Sequence, residues 1–284
     1  MSNTHLDRAK ILTEALPYIQ RYNGKIVVVN CGGVAMDAEL RDAVATDITM
    51  LRLVGIKVVL VHGIGPEVKQ ALAQSGRELV QKEGVYQIGP EAMEILQEVL
   101  CGKVNKDLVA LINRRGGRAV GLGGMDGSLF QAARLDQKYG LVGEILKVDP
   151  QMVVDSLRGG YIPVVSTVAQ GVDGPAAYNI NADTAAAKLA VALGAEKLML
   201  LTDVRGLLRD PANEDTLIHQ VRVSEIPGLI KDGVIQGGMI PKIDCAVEAV
   251  RSGVHSTVIL DGRIAHSILI ELLSDAGVGT MLVQ

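Results

Sequence analysis

The 284-residue chain carries 28 basic and 32 acidic side chains, a formal net charge of −4, with no basic run or aromatic platform that would grip nucleic acid. Its 48% hydrophobic content comes almost wholly from Val, Leu, Ile and Ala, with one Phe and no Trp, which suits strands of a sheet covered on both faces. Such a length accommodates two lobes on one continuous sheet or one large α/β domain.

In chain order, residues 5–22 place Ile11, Leu12, Ala15, Leu16 and Ile19 at helical spacing with Pro17 as the interruption, and predict a kinked amphipathic helix. Residues 25–29 form an apolar strand that runs into Asn30-Cys31-Gly32-Gly33. A helix is expected from about 37 to 54, then a strand over 57–61 ending in His62-Gly63-Ile64-Gly65-Pro66. This succession of strand, glycine turn and helix is the pattern of a parallel α/β sheet. Residues 91–113 predict a helix stopped by Gly116-Gly117, and 119–122 a short strand before Gly123-Gly124-Met125-Asp126-Gly127. Residues 128–150 suit a hairpin covering the site, and 161–166, 198–202 and 258–260 are further buried strands. A domain boundary is placed near Gly194, giving an N-terminal helix over 1–23 and lobes over 24–194 and 195–284.

Cys31, Cys101 and Cys245 make an odd count, with no signal peptide and no apolar run long enough to cross a membrane. A cytoplasmic protein with neither nucleic acid nor membrane as partner is expected. The five histidines are scattered without metal-ligand spacing, so no metal site is expected.

The chemistry concentrates between Tyr178 and Lys242. Asn179, Asn181 and Asp183 precede an Ala-rich helix, Thr202 and Asp203 end an apolar strand before Gly206, and Lys242 follows Gly237-Gly238 at another helix start. Helix N-termini and turns after strands point unpaired N–H groups at anions. For Asp183 the simpler alternative is a helix N-cap, and for any one glycine a tight turn. Three glycine turns on the C-terminal edge of one sheet favour a ligand, because open α/β sheets bind ligands there. Neither a Walker A sequence nor a G-x-G-x-x-G in a Rossmann setting is present.

Five ordered segments, G-K-V-N-K at 102–106, G-Y-I-P-V-V at 160–165, Y-N-I-N-A-D-T-A-A at 178–186, G-G-M-I-P-K at 237–242 and G-x-G-T at 277–280, span nearly the whole chain. Together they closely resemble the acetylglutamate kinases of the amino acid kinase family. The resemblance implies an α/β fold, an open αβα sandwich with a mainly parallel central sheet. It implies transfer of the γ-phosphoryl of ATP, with Mg2+ accompanying the nucleotide, to the side-chain carboxylate of N-acetyl-L-glutamate in arginine biosynthesis. Carried over residue by residue, Lys242, Asp183 and Asn30 are the catalytic positions. Gly63, Ile64, Gly65, Tyr86, Asn179 and Asn181 bind the acyl amino acid in the N-terminal lobe. Gly32, Gly33, Thr202, Asp203, Gly206 and Lys242 bind nucleotide, mostly in the C-terminal lobe. The N-terminal helix resembles that of arginine-inhibited hexameric members, so Tyr18, His266, Glu271 and Gly277 form an allosteric arginine site by analogy. The alternative is a helix that packs on its own subunit. A homo-oligomer, dimer or hexamer, is implied, and a nitrogen-signalling regulatory protein is a further partner by the same analogy.

The chain departs from the family at functional positions. Where the family has Lys in K-x-G-G it has Asn30, where H-G-G-G has its middle glycine it has Ile64, and where the carboxylate-gripping Arg stands it has Tyr86. Gly123 replaces a serine and Met125 follows the glycine pair. Asn30 keeps a donor but no charge, a loss worth a factor on the order of 100 to 1000 in rate, and Tyr86 lacks the guanidinium fork. The expectation is therefore a member of the family with reduced catalysis. A non-catalytic regulatory paralogue and a kinase for a less anionic acid are the rivals. Arg115, Arg118 and Lys82 are the candidate replacement cations.

Overall fold

The computed structural model describes residues 10–32, 38–174, 177–275 and 277–284. Helical residues 10–14 turn at Ala15 into α1 (Leu16–Tyr22), which carries its proline at the start, where a missing N–H breaks no helical bond. The elements that follow are β1 (Ile26–Asn30), α2 (Ala38–Leu53), β2 (Lys57–His62), α3 (Pro66–Gln74), β3 (Val80–Lys82), β4 (Val85–Gln87) and α4 (Pro90–Gln97). A π-helical stretch, Glu98–Val104, runs into α5 (Asn105–Arg114), so the long helix expected over 91–113 is continuous but locally widened. Next come β5 (Ala119–Gly123), β6 (Phe130–Arg134), β7 (Gly143–Val148), α6 (Gln151–Arg158), β8 (Ile162–Ser166), β9 (Val168–Gly171), β10 (Ala177–Asn179) and α7 (Ala182–Ala192). The C-terminal third holds β11 (Lys197–Thr202), β12 (Gln220–Arg222), α8 (Ile226–Lys231), α9 (Met239–Arg251), β13 (Ser256–Asp261), α10 (Ser267–Leu273) and β14 (Gly279–Val283).

Eight strands form the central sheet in the order β12-β14-β13-β11-β1-β2-β8-β5. It is parallel except where β14 runs against β13. Residues alternate between its faces, as period-two strands require. Val28, Val59, Val61 and Leu200 join one apolar cluster with α7 and α9, and Val27, Val29, Leu60 and Met199 join another with α2 and α5. Helices cover both faces, an αβα sandwich. Strands before Gly194 fill one half of the sheet and strands after it the other, joined where β1 pairs with β11.

The hairpin expected over 128–150 forms as β6 and β7, and it joins β9 and β10 in a second, four-stranded sheet. A third apolar cluster, including Val68, Leu72, Ile88, Leu96 and Tyr139, packs α3 and α4 beneath the small β3–β4 hairpin. β1, β2 and β5 end at the same edge of the main sheet, so the glycine turns after them assemble there.

Candidate active site

Asn30 closes β1 and is fully buried. Its Nδ2 donates to Asp183 Oδ1 at 2.7 Å, while its Oδ1 accepts the Gly32 N–H at 2.8 Å. Lys242, in the first turns of α9, places Nζ 2.7 Å from Asp183 Oδ2. The N-cap of α7 is Asn181, whose Oδ1 accepts the Thr184 N–H at 3.1 Å. With capping done by Asn181, the Asp183 carboxylate turns toward β1 and α9, and the alternative of Asp183 as a mere cap falls away.

Two glycine turns press against this helix start. A Cβ on Gly32 would stand 2.4 Å from Ala182 Cβ, and one on Gly63 would stand 2.8 Å from it. Only glycine permits such an approach. Gly65 is the N-cap residue of α3, and Ile64 is partly buried against the third apolar cluster. Between these turns lies a cavity of about 40 Å³ lined by Cys31, His62, Ile64, Arg41 and Glu67, with Arg41 paired to Glu67. Gly33 lies outside the described residues.

His62 ends β2, and desolvation, helped by the Lys106 charge, pushes its pKa down to about 3. The ring is therefore neutral, and Asn105 Nδ2 stands 3.1 Å from Nε2. Burial pushes the Cys31 thiol up to about 12 and raises that of Cys245, which leaves both as unreactive thiols. Asn179 ends β10 and is buried; its N–H donates to the Leu141 carbonyl at 3.0 Å, whereas its Oδ1 has no partner among the described residues. Thr167 Oγ1 and His62 Nδ1 are likewise unpaired, and Thr167 Oγ1 is 3.3 Å from the Cβ position of Gly63. Unpaired buried polar atoms are rare in native folds; His62 and Thr167 stand at the ends of β2 and β8, and the segment of Asn179 is tied to them where the Ile180 N–H donates to the Thr167 carbonyl at 2.9 Å.

Farther along that edge, Thr202 closes β11 and its hydroxyl donates to Asp203 Oδ1 at 3.3 Å. Gly206, at φ 138°, packs against Thr280, whose Oγ1 accepts the Leu207 N–H. The sequence reading missed Asp261 and Arg263. Asp261 ends β13 beside Thr202, and Arg263 reaches it through Nε at 2.9 Å and Nη2 at 2.8 Å. Burial pulls the Asp261 carboxyl up, but the Arg263 guanidinium and backbone N–H outweigh it and hold it below the usual range.

The structure sets Tyr86 apart from this group. It sits on β4 and lines a different cavity, with Lys69, Arg77 and Gln81. None of the expected replacement cations takes the vacated roles. Arg115 pairs with Asp42, Arg118 stacks 4.6 Å over the Tyr161 ring, and Lys82 stands opposite Val85 on the face of the hairpin away from Tyr86.

Of the residues of the expected arginine site, Tyr18, Glu271 and Gly277 lie near the chain's end and His266 does not. The Tyr18 hydroxyl donates to Asp275, Glu271 pairs with Lys197 at 3.1 Å and accepts the Val278 N–H at 3.2 Å, and Gly277 lies beside the same carboxylate. His266 stands at the other end of α10, its Nδ1 2.6 Å from Asp47 Oδ1. Ile11, Leu12 and Leu16 of the N-terminal helical segment are more than half exposed. Among the described residues no group of three or more His, Cys, Asp or Glu could hold a metal, and no helix is long and apolar enough to cross a membrane.

The sequence profile of the Amino acid kinase family matches residues 25–261. An acetylglutamate kinase of Clostridium beijerinckii is 52% identical over 281 residues, covering 98% of this chain and 99% of that protein. Another, from Synechococcus sp., is 48% identical over 99% of this chain and 96% of its own length. The N-acetylglutamate synthase of Neisseria gonorrhoeae, solved with coenzyme A and N-acetyl-glutamate, superimposes on 97% of this chain with a TM-score of 0.83 at 26% identity. This chain spans 63% of that longer protein.

Proposed function

The chain belongs to the amino acid kinase family, among the acetylglutamate kinases, and we propose that it transfers the γ-phosphoryl of ATP to the side-chain carboxylate of N-acetyl-L-glutamate, a step of arginine biosynthesis. The observation that carries this reading is the Asp183 carboxylate held between Lys242 Nζ and Asn30 Nδ2, directly beside the Gly32 and Gly63 turns.

Phosphoryl transfer needs little covalent help from a protein; it needs reactants held in line and the charge on the transferred group neutralised. Lys242 supplies the cation, Asp183 fixes its direction, and Asn30 gives a neutral donor on the opposite side. The close glycine turns let substrate oxygens reach backbone N–H groups, and Asn179 Oδ1 and Thr167 Oγ1 offer unpaired polar contacts to the acceptor. The nucleotide lies over the ends of β11 and β13, near Thr202, Asp203 and Gly206. Mg2+ enters with the ATP phosphates, as this hard cation commonly binds. Arginine acts as an effector around Tyr18, Glu271, Gly277 and His266. The exposed Ile11, Leu12 and Leu16 are covered by a sister subunit, in a dimer or hexamer. Free Cys31, Cys101 and Cys245 fit a cytoplasmic setting.

The test is an acyl-phosphate trapping assay with hydroxylamine, ATP, Mg2+ and N-acetyl-L-glutamate on the unaltered chain. ATP-dependent hydroxamate is the expected product; none at millimolar substrate and micromolar protein overturns the reading.

A further inference from the structure

His62 closes β2 immediately before the Gly63–Gly65 turn and is 2% exposed. Which of its ring nitrogens carries the proton is decided by Asn105, a buried residue that opens α5 straight after the π-helical stretch. The Asn105 Oδ1 accepts Lys106 Nζ at 3.1 Å, and its Nδ2 donates to the Val164 carbonyl at 2.9 Å and, more weakly, to the Leu122 carbonyl at 3.4 Å. An ammonium only donates and a carbonyl only accepts, so the carboxamide has one orientation. Its Nδ2, with no lone pair to offer, stands 3.1 Å from His62 Nε2. Nε2 is therefore the acceptor, and the neutral ring keeps its proton on Nδ1. Room for this arrangement comes from β5, where a Cβ on Gly121 would collide with Asn105 Oδ1 and stand 2.7 Å from Lys106 Nζ.

The Nδ1–H is buried and has no partner among the described residues. A buried donor left unpaired is costly, and this one sits at the root of a glycine turn. The His62 ring forms part of the wall of the cavity of about 40 Å³ between the Gly32 and Gly63 turns. Glu67, in the first turn of α3, lines the same cavity; its Oε1 pairs with Arg41, and its Oε2 lies 3.2 Å from the Cβ position of Gly65. A water needs about 10–15 Å³ and two or more polar partners. The imidazole N–H and the carboxylate supply a donor and an acceptor on the two residues that flank the turn.

We propose that Asn105 and His62 are positioning residues: Asn105 locks the ring as the Nδ1–H tautomer, and that N–H, through an ordered water shared with Glu67, holds the Gly63–Gly65 turn in the form that receives the acceptor. The inference rests on the function proposed above. A bridging water transmits this hold nearly as well as a direct hydrogen bond, and a ring that stays neutral keeps the turn independent of pH.

The test uses the full chain labelled with 15N at histidine, with the signals of His62 identified by their loss in His62→Asn. A proton on Nδ1 and none on Nε2 from about pH 5 to 8 is expected; a proton on Nε2, or a ring that titrates in that range, overturns the inference. Hydroxamate assays and calorimetric titrations of N-acetyl-L-glutamate without ATP then compare His62→Leu, Glu67→Leu, their double variant and His62→Asn, each checked for folding by thermal melting. Each single Leu variant weakens N-acetyl-L-glutamate binding about tenfold, with KM for ATP within about twofold. The double variant is no worse than the poorer single one, because both remove one bridge. His62→Asn, whose carboxamide N–H falls where the Nδ1–H stood, recovers most of the loss. Asn105→Asp turns an acceptor toward Nε2, moves the proton there and weakens binding as His62→Leu does. Unchanged binding in a folded His62→Leu, or defects that multiply in the double variant, overturns the inference. If the unaltered chain binds N-acetyl-L-glutamate without phosphorylating it, the proposed function fails and the spectra and titrations alone decide the inference. No measurable affinity in the unaltered chain overturns both.

Discussion

Two lysine–carboxylate pairs lie at different depths in this molecule. Lys197 and Glu271 meet at 3.1 Å with side chains 4% and 6% exposed, under the Tyr22 ring, with the Val278 N–H as an extra donor to the acid. Lys242 and Asp183 meet at 2.7 Å, each 15% exposed, and Asn30 shares the same carboxylate. Lys197 begins β11, whose other end, Thr202, lies on the ligand edge. The deep pair has lost its water and depends on its partner. The shallower one keeps solvent access and a second donor, so its lysine is able to exchange a carboxylate for a phosphoryl oxygen. The first pair is thus expected to govern stability and the second turnover.

Lys197→Met tests the first half of the comparison and carries the largest expected effect. It leaves Glu271 buried and uncompensated, which costs about 3–5 kcal/mol, measurable by urea unfolding. The double variant Lys197→Met/Glu271→Leu removes both charges and recovers most of the loss. Lys242→Met tests the second half. It lowers kcat by about 100- to 1000-fold, the scale for losing one stabilising group on a transferred charge, while destabilising by less than about 2 kcal/mol, since Asn30 and solvent still serve Asp183. Equal destabilisation by the two single substitutions would erase the contrast.

Asn30→Lys sharpens the contrast from the other side. It restores a cation opposite Lys242 and releases the Gly32 N–H from the Asn30 carboxamide, so kcat for N-acetyl-L-glutamate phosphorylation rises about 100-fold. A variant no faster than the unaltered chain would mean that the side chain at position 30 is not what limits transfer.

The parallel strands and glycine turns were legible because apolar runs, glycine punctuation and helical spacing are local signals. β3, β4, β10 and β12 were not: each has three residues, too few for a period to register. Within the site, Asn181 and Asp183 are equally good caps by residue type, and only the positions of Asn30 and Lys242 decide which one caps. Arg115, Arg118 and Lys82 failed as replacement cations because their directions depend on Asp42, Tyr161 and strand register, none of which spacing reveals.

The smallest expected effect concerns Asp47, which α2 buries against His266. Burial raises its carboxyl to about 6, with the His266 hydrogen bond and charge opposing the rise. An acid with a raised folded pKa binds its proton more tightly in the native state. Its contribution to stability is therefore fully present below the unfolded value near 4 and fades as pH climbs through 6. In unfolding measurements from pH 4 to pH 7, the unaltered chain loses stability relative to Asp47→Asn by an amount on the order of 1 kcal/mol. Parallel curves for the two proteins would show that His266 fully compensates the buried carboxylate. The Asp47–His266 contact would then behave like the shallow Lys242–Asp183 pair rather than the deep Lys197–Glu271 one.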